Sequence, residues 1–255
     1  MKKGYLSKIT ALCMVLFLAA CTTSEKQVGF SDAGTLYNTL PQGNTLFFLG
    51  YSNRKMDRRE EEALCLYRAA LQAVQFIAVQ GSFVLEKEEG RGINYGESVS
   101  IQFDDNPVPE IARMLKPVSH FRNDRGSMVV YAFENFQYPQ FYLEVPVNKK
   151  PPEWINSPPD VPGFITGVGV AERRSRLSDS LEAADRAALG ALIERISLEI
   201  QTNQIVYSSK YGVISSRRTS SRAEAEIRGF YICSRYIDKR YFYSLAVCPG
   251  RRQEE

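Results

Sequence analysis

An arginine- and hydroxyl-rich run, residues 215–222 (SSRRTSSR), has the residue types best suited to binding an anion. Guanidinium groups donate paired hydrogen bonds to phosphate and carboxylate oxygens. Arg217, Arg218 and Arg222 are therefore candidate contacts for a lipid headgroup, an acidic glycan or a partner protein. The alternative is an exposed connection between a helix and a hairpin, because polar clusters without periodicity are typical of loops.

The remaining polar residues do not form a recognisable catalytic group. His120 is the single histidine, and no nucleophile and base accompany it at a motif spacing. Residues 60–62 are three glutamates at the start of a predicted helix, where the helix dipole favours negative charge. The chain lacks a CxxC motif and a Cys/His cluster. We expect a protein that is not an enzyme and that holds neither a metal nor a cofactor.

A Gly-x-Gly pair, Gly167 and Gly169, follows the start of a predicted strand. A dinucleotide-binding fingerprint would need a third glycine, which is missing here. The pair instead predicts a strand that a helix or another backbone approaches closely.

The first 20 residues have the features of an export signal. Lys2, Lys3 and Lys8 precede a twelve-residue apolar run, Ile9 to Ala20. This run is shorter than the roughly 20 residues that a membrane-spanning helix needs. The segment therefore predicts secretion rather than a membrane-spanning anchor.

The signal ends Leu18-Ala19-Ala20-Cys21, which resembles the lipobox of bacterial lipoproteins. The resemblance implies that Cys21 becomes the mature N-terminus and carries two or three acyl chains, enough for stable membrane anchoring. Thr22 is not the aspartate that retains many lipoproteins in the inner membrane. The absence of this aspartate implies a cell-envelope protein at the outer membrane, with the periplasmic face favoured over the cell surface. An ordinary cleaved signal with a chance cysteine is the alternative.

Removal of the signal makes the chain formally neutral. The full sequence has 32 basic and 29 acidic residues, and the signal takes three lysines with it, leaving 29 of each. Nucleic-acid binding depends on an excess of positive charge. We therefore expect no nucleic-acid partner.

Three cysteines, Cys65, Cys233 and Cys248, remain after Cys13 is removed with the signal and Cys21 is acylated. Cys65 lies within a helical pattern and is predicted to be a small buried side chain. Cys233 and Cys248 fall on neighbouring predicted strands and form a candidate disulfide, provided that the strand register brings them close enough.

A proline-rich segment divides the mature chain into two parts. Six of the twelve prolines lie between Pro146 and Pro162, a density that helices and central strands do not tolerate. The predicted organisation is a signal peptide (1–20), a tether (21–42), a first, divergent repeat (43–150) and a second repeat (151–255).

Both parts have the same order of predicted elements. An apolar strand (46–51; 164–170) precedes a helix with a capping pair, Asp57 and Glu60 in the first part and Asp179 and Glu182 in the second. Two strand-like runs follow each helix, at 118–121 and 128–133 and at 230–237 and 241–247. The sequence RAAL occurs in both helices. We predict an α+β fold of duplicated strand-helix-hairpin units, with helices packed on antiparallel sheets.

Several motifs of the second part resemble one family. They are Pro152-x-Trp154, the Gly-x-Gly strand, the alanine-rich helix 183–197 and the closing strand pair 235–247. Over residues 151–248 they resemble the twenty-kilodalton Lpp-type lipoprotein family (FlgP-like). The resemblance implies a small, non-enzymatic lipoprotein of the outer membrane, some relatives of which assemble around the flagellar motor.

Two functions follow from these observations. The first is a structural or assembly role for a protein held at the membrane by acylated Cys21, with itself or other envelope proteins as partners. The alternative is an envelope module that binds a lipid, glycan or peptide between the repeats, in an apolar pocket with a few convergent polar groups.

Overall fold

The fold is α+β, with helices packed on antiparallel sheets. A computed structural model describes residues 34–77, 79–89, 93–135, 138–139, 141, 143, 151–209 and 219–250; within these ranges it gives only the backbone at residues 35, 81–99 and 197–226. The described elements are β1 (Thr35–Asn38), β2 (Leu46–Asn53), α1 (Arg58–Ile77), β3 (Val79–Glu89), β4 (Ile93–Gln102), α2 (Val108–Met114), β5 (Lys116–Arg122), β6 (Gly126–Phe133), a 3₁₀ turn (Glu153–Ile155), β7 (Phe164–Glu172), α3 (Leu177–Ser209), β8 (Thr219–Ile227), β9 (Tyr231–Ile237) and β10 (Tyr241–Pro249).

The described strands form three antiparallel sheets. Their orders are β1-β9-β10-β7, β2-β6-β5 and β4-β3-β8. Helix α1 packs on β2 and β6, and α3 packs on β7 and β10. Strand β2, which precedes α1, pairs with β6, the second strand of the β5-β6 hairpin. Strand β7, which precedes α3, likewise pairs with β10, the second strand of the β9-β10 hairpin.

Glycines in β2 and β7 allow the helices to lie close to the sheets. A Cβ atom on Gly50 would stand 2.0 Å from the carbonyl oxygen of Cys65 in α1, and one on Gly169 would stand 2.0 Å from that of Ala184 in α3. Neither distance is possible between real atoms without moving the helix backbone. The expected close approach at the Gly-x-Gly strand is therefore confirmed.

The helix starts differ in detail from the predicted capping pairs. Asp57 caps α1 as predicted, because its carboxylate accepts the N–H of Arg59 at 2.9 Å. In contrast, α3 begins at Leu177, so Asp179 lies within its first turn instead of capping it. The hydroxyl of Ser180 accepts the N–H of Arg174 at 2.8 Å.

Glu61 connects the start of α1 to strand β6 through hydrogen bonds. Its side chain is fully buried and accepts hydrogen bonds from the Ser127 hydroxyl at 2.6 Å and from the Lys55 N–H at 2.7 Å. Arg54 and Arg58 donate at 2.7 and 2.6 Å. Burial alone raises the pKa of this carboxyl, but the four hydrogen bonds outweigh it and lower the pKa to about 2.

The two parts of the chain share one hydrophobic core. Phe48 and Ala70 from the first part and Tyr231 and Val247 from the second belong to one cluster of buried residues. Strand pairing also crosses between the parts, since β3 pairs with β8. The division predicted at residue 150 therefore does not separate two independent cores.

The proline-rich segment and the end of the predicted tether contribute to this folded body. Trp154, in the middle of the proline-rich segment, and Tyr138, which precedes that segment, are buried in the same core cluster. Strand β1 pairs with β9, so the chain joins a sheet at Thr35. The predicted tether ending at residue 42 is correspondingly shorter.

The candidate disulfide between Cys233 and Cys248 is not formed. Both are free thiols, and they belong to two different core clusters. Burial raises the pKa of each thiol to about 12, so both stay protonated. Cys65 is fully buried, which confirms the prediction for that residue.

Candidate functional site

The residues singled out from the sequence lie apart or outside the described residues. Cys21, Arg217 and Arg218 are outside them, and only the backbone of Arg222 is described, in β8 opposite Val84 of β3. The anion site therefore stays a prediction. His120 lies exposed on β5.

A cleft of about 380 Å³ lies between α1 and α3. Ligand pockets in proteins typically measure about 300–1,000 Å³ and combine apolar walls with a few polar groups. The apolar lining comes from Leu64, Tyr67, Leu71, Ile101, Phe103 and Leu189, and the polar lining from Tyr51, Arg68, Gln72, Gln75, Glu182, Asp185 and Arg186.

An ion pair between Asp185 of α3 and Arg235 of β9 lies at the base of the cleft. The Nε and Nη2 atoms of Arg235 donate to the two carboxylate oxygens of Asp185, each at 2.9 Å. Arg235 is completely buried, and its Nη2 also donates to Gln72 of α1 at 2.9 Å. The hydroxyl of Ser244 donates to Asp185 at 2.6 Å. The pair therefore connects both halves of the chain.

The charges of this pair support each other electrostatically. Burial alone lowers the pKa of Arg235, but the adjacent Asp185 carboxylate raises it above its ordinary value. Burial, followed by the negative charge of Asp185, raises the pKa of Tyr51 well above its ordinary value. Tyr51 is thus a neutral phenol whose hydroxyl lies 3.5 Å from Asp185. Both carboxylate oxygens of Asp185 already accept hydrogen bonds from within the fold.

Two arginines from opposite helices stand at the mouth of the cleft. Arg68 of α1 donates to the backbone oxygen of Tyr51 at 2.8 Å, and its guanidinium lies 5.0 Å from the centre of the Tyr51 ring. It also contacts the carboxylate of Glu182 at 3.4 Å. Arg186 of α3 is exposed and makes no hydrogen bond or ion pair with any described residue.

A second cavity, of about 450 Å³, lies near the end of α1. Phe103 lines both cavities. Val74 and Ile77 form the apolar side of the second cavity, while Gln102 and Asp104 are polar. No lysine, arginine or histidine side chain is among the described residues that line it. Its polar lining comes from Gln80, Gln102 and Asp104.

The cleft residues are not apparent from the sequence motifs. Asp185 belongs to the alanine-rich helix, and Arg235 belongs to an aromatic strand run. The signal present in the sequence is an arginine within a mostly apolar and aromatic strand, YICSRYI, which the structure shows to be buried throughout. Such a charge requires a partner, and an acidic residue on the inner side of a helix is the natural one.

No family model, no curated protein and no solved structure matches the chain. Within the described residues, no group of three or more His, Cys, Asp or Glu side chains could hold a metal ion. None of the described helices has the length and apolarity needed to cross a membrane.

Proposed function

We propose that the chain is a lipid-anchored, non-enzymatic lipoprotein of the cell envelope with a structural or assembly role. The observation that carries this proposal is the apolar segment ending Leu18-Ala19-Ala20-Cys21. Acylated Cys21 attaches the protein to the membrane, at the outer membrane and on its periplasmic face. Its partners are further copies of the same protein and other envelope proteins.

The position of β1 supports a short connection between anchor and body. Thirteen residues separate Cys21 from Thr35, where the chain joins the first sheet. A segment of this length spans at most about 50 Å when fully extended. Anchoring therefore keeps the folded body close to the membrane, where a weak contact with a neighbour becomes effective because its local concentration is high.

We also propose that the chain arose by duplication of a strand-helix-hairpin unit, and that residues 151–248 belong to the twenty-kilodalton Lpp-type lipoprotein family. The equal strand orders β2-β6-β5 and β7-β10-β9 support the duplication. The contacts of Gly50 with Cys65 and of Gly169 with Ala184 occupy corresponding places in the two units.

The hairpin turns provide further support for the duplication. The side chain of Asn123 accepts two backbone N–H groups at the β5-β6 turn, and that of Asp238 does the same at the β9-β10 turn. In both units a backbone N–H following the first strand donates to this turn: Arg54 to Arg125 at 2.8 Å, and Arg173 to Arg240 at 2.7 Å.

Matched glycine substitutions test the equivalence of the two units. Gly50→Ala and Gly169→Ala are each expected to lower the free energy of unfolding by about 1–3 kcal/mol, because the helix must move away from the new methyl group. Urea denaturation measures both losses. Gly250→Ala is the control, since its new Cβ would meet its nearest atom at 3.5 Å, an ordinary contact. A loss at only one of the two strand glycines would contradict the equivalence.

Substitution of the anchor cysteine tests the leading function. Cys21→Ser is expected to move the protein from the membrane fraction to the soluble fraction, because the acyl chains are lost. Chemical cross-links to itself or to envelope proteins in intact cells of the native organism should decrease with it. Membrane fractionation, followed by mass spectrometry of the cross-linked species, measures both effects.

Cys13→Ser is the matched control for this experiment. It also removes a cysteine, but one within the segment that is cleaved off, so localisation and cross-links should not change. Equal membrane retention of the Cys21→Ser protein would contradict the anchor. Retained anchoring without any cross-linked partner would contradict the assembly role.

A second candidate function is favoured by the cleft between α1 and α3. Its apolar walls and converging polar groups match the pocket expected of an envelope module that binds a lipid, glycan or peptide. Anchoring and ligand binding are compatible, since the cleft belongs to the folded body and the anchor to the N-terminus.

A further inference from the structure

The charges around the cleft between α1 and α3 favour an anionic ligand. Three arginines, Arg68, Arg186 and Arg235, lie at its mouth or base, against two carboxylates, Glu182 and Asp185. Arg235 neutralises Asp185 within the fold. The net charge at the mouth of the cleft therefore depends on Arg68, Arg186 and Glu182. They comprise two cations and one anion.

The arginines at the mouth have donors available to a ligand. Arg186 makes no hydrogen bond or ion pair with any described residue. Arg68 is held in place by its bond to Tyr51 and its contact with that ring, but its pairing with Glu182 is long, at 3.4 Å. The Glu182 side chain is 63% exposed, so a bound anion can displace it at little cost.

The walls of the cleft favour an apolar group next to this anion. Tyr67, Leu64 and Leu71 line the α1 side, and Leu189 and Phe103 complete the apolar lining. Tyr67 is 47% exposed, so part of its ring is in contact with solvent at the cleft. A ligand that covered Tyr67 would remove this apolar surface from water.

We propose that the cleft binds a small amphiphile with one carboxylate on an apolar chain. The carboxylate lies between Arg68 and Arg186, because guanidinium groups bind carboxylate oxygens in pairs. The apolar chain lies against Tyr67, Leu71 and Phe103. A free fatty acid and the C-terminus of an apolar peptide both have this chemistry. This inference rests on the second candidate function and deepens it; it does not depend on membrane anchoring.

Calorimetric titration of the purified Cys21→Ser protein tests the proposal without interference from acyl chains or detergent. The probes are decanoate below its micelle concentration against decanol, and N-acetyl-trileucine with a free C-terminus against its C-terminal amide. Each acid should bind at least about tenfold more tightly than its neutral counterpart, since a charged hydrogen-bond pair is lost with the charge. Binding of only one acid identifies the source of the ligand.

Arg186→Gln should remove this preference for the acid, with an affinity for the neutral probe that is unchanged. The side chain is exposed and without a partner in the described residues, so the substitution should not disturb folding. Arg59→Gln is the matched control: this exposed arginine is also helical, but it does not line the cleft. Tyr67→Ala should weaken the acid and the neutral probe by the same factor.

Three results would overturn the proposal. Equal affinity for acid and neutral probes would leave a ligand site but refute the carboxylate class. Preference for the acid that persists in Arg186→Gln would place the anion elsewhere. Absence of binding by all four probes would refute this inference, whereas a glycan ligand for the second candidate function and the anchoring test would be unaffected.

Discussion

Asp185→Ala is expected to lower the free energy of unfolding by about 3–5 kcal/mol at neutral pH. Asp185 supplies the two oxygens that face Nε and Nη2 of Arg235, and Arg235 has no exposed surface. Its loss leaves a buried positive charge with only the amide oxygen of Gln72 as a hydrogen-bond acceptor among the described side chains. Chemical denaturation monitored by circular dichroism measures the change.

Two further variants distinguish this explanation from a general sensitivity of α3. Asp185→Leu combined with Arg235→Met should recover most of the loss, because an apolar pair leaves no uncompensated charge in the core. Asp160→Ala, at an exposed position before β7, should change stability by less than about 0.5 kcal/mol. Wild-type stability of the single Asp185→Ala variant would show that the ion pair does not hold the halves together.

Glu61→Gln is expected to lower the free energy of unfolding by about 3 kcal/mol at neutral pH. The carboxylate has its pKa lowered from 4.5 to about 2 in the folded protein. A lowered pKa in the folded state stabilises the protein above the unfolded value, and the stabilisation is lost as the pH falls. Wild-type stability should therefore decrease from about pH 4.5 towards pH 2, whereas this contribution is missing from the variant at every pH.

A pH series of urea denaturation experiments measures this difference. The gap between wild type and Glu61→Gln should be widest near neutrality and should narrow on acidification. Glu60→Gln is the matched control, because Glu60 forms only an exposed pair with Lys55 at 3.1 Å and such pairs contribute at most about 1 kcal/mol. A gap between wild type and Glu61→Gln that stays constant from neutral to acidic pH would contradict the assigned pKa.

Local sequence patterns predicted helices α1 and α3, the strand before each of them and the hairpin that comes later in each half of the chain. The apolar runs at 46–51 and 164–170 are strands β2 and β7, and the helices predicted after them are α1 and α3. These patterns are strong because each element buries one face on its neighbour. Helix ends were less well predicted: Asp179 has a capping residue's chemistry but lies inside α3, where Ser180 binds the preceding backbone.

Contacts between distant parts of the chain were beyond local patterns. Proline density predicts that residues 146–162 form neither a helix nor a central strand, but it does not tell whether Trp154 packs into the core, as it does. The sequence pattern puts Cys233 and Cys248 on neighbouring strands but does not give the strand register. In the structure the two cysteines belong to separate core clusters. The pairing of Asp185 with Arg235 likewise depends on the tertiary fold.

The repeat signal illustrates the same limit. The RAAL match aligns Arg68 with Arg186, whereas the buried positions Cys65 and Ala184 align one residue further along. The short sequence identity and the glycine contacts therefore align the two helices in registers that differ by one residue.

The N-terminal residue of the mature protein provides the most direct test of the central claim. Mass spectrometry of the N-terminal peptide, released by protease from protein purified from the membrane fraction of the native organism, measures both the cleavage site and any attached lipid. We expect a peptide that begins at Cys21 and carries a thioether-linked diacylglycerol. A peptide that begins at any other residue, or an unmodified Cys21, would contradict it.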